Sequence, residues 1–189
     1  MMSQQTPTLW SRRRILKTTL AGMILLGGRL TFPTGISAHV NPEGKLRLYN
    51  VNTKERLTVK YRNRSGQYDP EALHDLNYFL RCPHSNQICQ MDIQLIEDVN
   101  QIEKQVGEGK EIRIFSAYRS PSYNKLLIHL GRGAVPKSLH TTGQALDFSI
   151  SGVRLSKVRR AAFHLKHGGV GYYRRQGFIH LDTGPIRYW

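Results

Sequence analysis

Two imidazoles and a carboxylate dominate the part of this chain that could do chemistry. His140 and Asp147 stand in Ser138-Leu139-His140-Thr141-Thr142-Gly143-Gln144-Ala145-Leu146-Asp147. His180 stands in Gly177-Phe178-Ile179-His180-Leu181-Asp182. Two nitrogens and one oxygen make a ligand set for a hard-to-borderline cation such as zinc. A catalytic zinc takes three protein ligands and leaves its fourth position to water. The chain has eight histidines, so one alone says little. Three local features single this set out. Gly143 allows a tight backbone approach in a polar stretch. Asp147 interrupts the strand-like run Ala145–Ile150, where a carboxylate is costly unless paired or metal-bound. His180 repeats that pattern, and Asp182 shares its strand face because side chains alternate with period two.

The elements that must position these residues follow from periodicity and capping. Lys45–Val51 and Glu55–Tyr61 alternate polar and apolar residues around a turn-like Asn52-Thr53-Lys54, predicting a hairpin. Asp69-Pro70 supplies an N-cap and a first helical proline, followed by Leu73, Leu76 and Leu80 at helical spacing. A second helix is expected from about Asp92 to Val106, stopping at Gly107. Glu111–Ser116 reads as a strand, and Ser120-Pro121 opens a helix to about Leu130. Ala145–Ile150 is a strand, and Leu155–His167 a helix ended by Gly168-Gly169. Val170–Tyr173 and Phe178–Asp182 form a last hairpin. The expected class is α+β, with helices beside a mostly antiparallel sheet that carries the ligands.

The N-terminus reads as an address. Arg12-Arg13-Arg14-Ile15-Leu16-Lys17 is followed by an eleven-residue apolar run, Thr18–Gly28, and a small-residue site ending at Ala38. This matches a twin-arginine export signal occupying residues 1–38. The apolar run is shorter than the roughly 20 residues of a membrane span, so contact with the membrane is expected only in transit, with a periplasmic destination. Residues 39–189 are then enough for one domain.

The net charge is +15. Residues 1–38 hold five cations and no acid, which leaves +10 on the remainder. A basic protein seeks an anionic partner. The cations are scattered, without a nucleic-acid motif, so the expected polymer is one of the cell wall. Cys82 and Cys89 leave three readings open: a local disulfide, two free thiols, or an incomplete zinc knuckle with His84.

At these residues the chain resembles the YcbK-like, MepK-type murein endopeptidases of the hedgehog/D-Ala-D-Ala zinc metallopeptidase group. The carriers are Ser116-Ala117-Tyr118-Arg119-Ser120 with Asn124, then Ser138-x-His140-x-x-Gly143-x-Ala145-x-Asp147. Gly168-Gly169-Val170-Gly171-Tyr172-Tyr173 and Phe178-Ile179-His180-Leu181-Asp182 complete them. The resemblance implies a small antiparallel sheet flanked by helices, one zinc ion on His140, Asp147 and His180, and hydrolysis of amide bonds in peptidoglycan cross-links. It implies substrate-binding roles for Arg119 and Ser138. One departure matters. Many relatives carry a general-base glutamate three residues before the last histidine, where this chain has Gly177. Asp182 and His167 are the candidate replacements, with Asp182 equally able to serve as a hydrogen-bond partner for a ligand imidazole. The missing glutamate keeps a second reading open, a zinc-containing peptidoglycan-binding module without turnover. Cleavage of 3–3 cross-links, cleavage of 4–3 cross-links and trimming of D-alanine all fit an arginine-clamped pocket.

Overall fold

Leu46 and Leu48 on one strand, and Val59 and Tyr61 on the next, are the buried halves of two alternating patterns. They form the expected hairpin of β1 (Gly44–Asn50) and β2 (Arg56–Arg62). This computed structural model describes residues 43–189. The arginine run, the apolar stretch and the Ala38 boundary lie outside the described residues.

The helices begin where capping chemistry places them. Asp69 accepts from the backbone N–H groups of Glu71 and Ala72 and starts α1 (Pro70–Phe79). Asp92 accepts from Gln94 N–H and starts α2 (Ile93–Gly107). Ser120 accepts from Tyr123 N–H and starts α3 (Pro121–His129). Each side chain satisfies donors that a helix leaves unpaired at its N-terminus. The fourth helix, α4 (Leu155–Leu165), stops short of the expected His167. Lys166 turns into the left-handed region at φ 55°, which swings His167 out of the helix toward α2.

The sheet corrects the expected architecture. It is not small, and it is mixed: four of its six strand pairings are antiparallel and two are parallel. Seven strands run in the order β2-β1-β3-β4-β6-β5-β7, with β3 (Glu111–Ser116), β4 (Ala145–Ile150), β5 (Gly169–Tyr173), β6 (Phe178–Asp182) and β7 (Arg187–Tyr188). β1 pairs with β3 in parallel, as does β5 with β7. The physical reason lies in the connection. The α1–α2 excursion carries the chain from β2 to the far edge of β1, where β3 enters antiparallel to β2 and therefore parallel to β1. The class remains α+β, with a mixed sheet.

Leu146, Phe148 and Ile150 of β4 share a face with Ile179 and Leu181 of β6, and α2 and α4 pack there through Leu95, Val99, Ile102, Val158 and Ala161. Alternation therefore sends Asp147 and His180 to the opposite face. Cys82 and Cys89 are both free thiols. His84 stacks on Tyr123 at 4.7 Å, and among the described residues the metal-competent cluster is the one formed by His140, Asp147 and His180 rather than this pair.

One ion pair gives the fold a pH signature. Arg81, with only 9% of its side chain exposed, holds both oxygens of Glu55. These hydrogen bonds keep the Glu55 carboxyl below its ordinary value, against a smaller opposing effect of burial. The native state therefore binds fewer protons here than the unfolded chain. The stabilisation is fully present above the unfolded carboxyl value of about 4.3 and is lost as pH falls from there through the lower folded-state value. Thermal melts should show Tm dropping below about pH 4.3, with a shallower drop in Glu55→Gln. Identical pH slopes in the two proteins would remove the pair from that role.

Candidate metal centre

Asp147 on β4 and His180 on β6 are direct cross-strand partners. The pairing brings His180 Nδ1 to 2.8 Å from Asp147 Oδ1. His140 arrives from a short 3-10 turn, Leu139–Thr142. Gly143 ends that turn in the left-handed region at φ 73°. A Cβ at Gly143 would lie 2.6 Å from the carbonyl oxygen of Gln90, so only glycine lets the turn seat itself there. Two backbone bonds fix it: Asp92 N–H donates to Gly143 O, and Arg119 N–H to His140 O, each at 3.0 Å.

Outer partners decide which nitrogen of each ring faces inward. Ala117 O can only accept, so His140 Nδ1–H donates to it at 2.7 Å and Nε2 points to Asp147 Oδ2 at 3.4 Å. His180 Nε2 lies 2.8 Å from Asp182 Oδ2, which leaves Nδ1 for the inner side. Together the three residues could hold a cation, since one ligand atom from each lies within 4.8 Å of the others. A tetrahedral zinc at about 2.1 Å from N and O donors separates them by about 3.4 Å; His140 Nε2 and Asp147 Oδ2 stand at that distance, while His180 Nδ1 is drawn in to 2.8 Å from Asp147 Oδ1. Each imidazole is also oriented through its far nitrogen, as metal-binding histidines characteristically are. The donor set fits zinc.

The electrostatics of Asp147 and His140 agree. Burial opposes ionisation of Asp147, yet His140 and His180 outweigh it and hold the carboxyl well below the usual carboxylate range. Burial lowers the pKa of His140 and favours its neutral, ligating form. Burial also acts against charge on His180, but its bonds to Asp147 and Asp182 prevail and raise its pKa.

Arg119 follows β3. Its Nε–H donates to Ser116 Oγ at 2.9 Å and its Nη2 to Asp147 Oδ2 at 3.1 Å. The guanidinium lies where two cavities meet. The larger, about 740 Å³, is lined by Arg132, Lys137, Ser138 and Trp189 as well as the trio. The smaller, about 210 Å³, is lined by Asn50, Asn52 and Tyr123. Arg119 and Asp147 line both. Ser138 is thus at the cleft, two residues before His140.

The two candidate bases do not line that cleft. His167 points to α2, with Nδ1 2.8 Å from Asp98 Oδ1. Nearness in sequence to β5 does not bring it to the trio. Asp182 is fully buried behind His180. Its oxygens accept from His180, Gly169 N–H, Gly184 N–H and the Arg187 guanidinium. Of the two roles open to Asp182, this geometry is that of a carboxylate orienting an imidazole. Sequence reasoning missed Arg187 and Trp189. Their strand, β7, spans two residues and carries no readable period. The usable signal was a lone tryptophan beyond residues 1–38, since the other is Trp10.

Comparisons with known proteins bear on the same residues. A family model described as Peptidoglycan L,D-endopeptidase MepK matches residues 39–189. The Peptidoglycan L,D-endopeptidase MepK of Escherichia coli strain K12 is 37% identical over 179 residues, covering 95% of this chain and 97% of that protein. A Probable peptidoglycan L,D-endopeptidase MepK of Haemophilus influenzae strain Rd is 37% identical over 174 residues, covering 90% of this chain and 92% of that protein. No solved structure matches the chain. A match across the whole described region, with the trio, Arg119 and the glycine-rich β5 all inside it, decides the assignment: the chain belongs to the peptidoglycan L,D-endopeptidase MepK family.

Proposed function

We propose that this protein is a zinc-dependent murein endopeptidase that hydrolyses an L,D amide bond in the cross-linking peptides of peptidoglycan. The carrying observation is the buried trio of His140, Asp147 and His180, opening on a long cleft beside Arg119 in a chain of this family. The L,D preference is taken from the relatives' names. His140 Nε2, an Asp147 oxygen and His180 Nδ1 would hold the ion. When bound, zinc would polarise the scissile carbonyl and acidify a water.

The remaining work falls to the chain. His140 and His180 present fixed nitrogens because Ala117 O and Asp182 hold their far sides. Asp182 keeps the His180 proton on Nε2, so Nδ1 stays a donor of electrons. Arg119 offers a planar fork that suits a carboxylate of the substrate, and Ser116 and Asp147 hold it in place. Holding both reactants in register supplies much of the rate gain available to such a site. Hydrolysis adds hydroxide to the carbonyl carbon, breaks the C–N bond and delivers the water's other proton to the leaving amine. Arg132 and Lys137 in the larger cavity complement the anionic wall peptide.

The arginine run at Arg12–Arg14 and the apolar stretch after it support export by the twin-arginine route. The site of action is then the periplasm, where the polymer lies. Chelation tests the reading. Removing metal from the purified protein should abolish release of fragments from cross-linked muropeptides, and one equivalent of zinc should restore it. Cleavage that persists in metal-free protein would overturn the assignment.

A further inference from the structure

Trp189 stands beside the trio and has no role in the reaction outlined above. It is 47% exposed, and it lines the larger cavity. Its backbone and its ring are nevertheless both held, the ring with the Arg187 guanidinium 5.2 Å over its centre. Trp189 N–H donates to Val170 O at 3.2 Å, and its own carbonyl accepts from Tyr172 N–H at 2.9 Å. The indole Nε1–H donates to Tyr173 Oη at 3.0 Å. Its ring centre lies 5.4 Å from that of His180. Beneath it is Gly171, where a Cβ would come within 2.8 Å of the indole. Gly171 is the cross-strand partner of His180, so the bare backbone at that position is what lets an indole lie alongside a ligand imidazole.

The same cavity is lined by Arg119, Arg132 and Lys137. A cleft with guanidinium and ammonium groups and a rigid aromatic face selects a ligand that is anionic and aliphatic at once. Ordered, half-exposed aromatics are characteristic of recognition surfaces, because they give large contact area at little entropic cost.

We propose that Trp189 is a substrate-positioning residue whose exposed face receives an aliphatic side chain of the cross-linking peptide, while the cations take the peptide's carboxylates. The proposal rests on the endopeptidase reading and adds a recognition element to it.

The experiment uses the full chain. Trp10→Phe leaves Trp189 as its only tryptophan, so emission reports on this ring alone. Metal-stripped protein is titrated with a cross-linked peptide dimer that carries no sugar. A saturable blue shift or quench is expected. In zinc-loaded enzyme, Trp189→Ala should raise KM about tenfold with kcat within about threefold, and Trp189→Phe should recover most of the loss. Zinc content should match wild type in both variants, which a ring serving only to prop His180 would not allow. Emission blind to saturating dimer overturns the proposal. So does a shift seen only with disaccharide-bearing dimer, or a fall in kcat at constant KM. Failure of the wild-type enzyme to cut dimers would instead sink the endopeptidase reading, and the emission titration distinguishes the two outcomes.

Discussion

Asp182→Asn should bind zinc about 10- to 100-fold more weakly than wild type, the usual consequence of losing an outer partner of a ligand histidine. The carboxylate accepts from four directions: His180 Nε2, Gly169 N–H, Gly184 N–H and the Arg187 fork. An asparagine offers one oxygen, and its amide hydrogens confront groups that also donate. His180 loses the acceptor that fixes its tautomer, and Nδ1 no longer faces Asp147 as the only available orientation. Buried donors left without acceptors cost about 1–3 kcal/mol, and Arg187 softens this by turning to water, since its side chain is 43% exposed. For a domain of this size that is a Tm loss of a few degrees, about 2–4 °C per kcal/mol. Calorimetric zinc titration and thermal melts on one preparation measure both effects. A variant that holds zinc as tightly as wild type yet never turns over would make Asp182 the carrier of the water's proton, contrary to the orienting role.

Arg119→Lys should reduce kcat/KM on cross-linked muropeptide by about 100-fold, the scale on which small misplacement of substrate is felt. The charge survives, but the geometry does not. The arginine spends Nε on Ser116 and Nη2 on Asp147, which aims the rest of its fork at the junction of the two cavities. A lysine ammonium is a point charge on a flexible stem and cannot both brace itself and grip a carboxylate in a plane. Zinc content should stay at one equivalent, because His140, Asp147 and His180 remain. Steady-state kinetics with metal analysis decide the matter, and a drop of less than threefold would remove Arg119 from substrate orientation.

Local features were legible in the sequence where the physics is local. Asp69-Pro70 and Ser120-Pro121 announced helices because a cap and a preset φ act within a single turn. Asp147 drew notice because its neighbours in Ala145–Ile150 are apolar, and its burial bears this out. Pairing between distant segments was not legible. Nothing in residues 44–50 says that residues 111–114 will lie beside them in parallel, since that register is set by how α1 and α2 pack in between. His167 shows the opposite error. Its place at the end of a helical pattern made it seem adjacent to the active strands, yet a left-handed Lys166 and the buried Asp98 decide where it points. Arg187 and Trp189 acquire their meaning only once β7 is docked on β5.

The order of strands also sets when this protein can become dangerous. β6 is threaded between β4 and β5, although both precede it along the chain, and it carries His180. A nascent polypeptide that has emerged only as far as β5 holds two of the three donors and a gap in the sheet where the third belongs. With the proposed ligand set, a chain that stops ahead of residue 180 should lack both the third donor and the strand that closes the sheet, and should release no muropeptide.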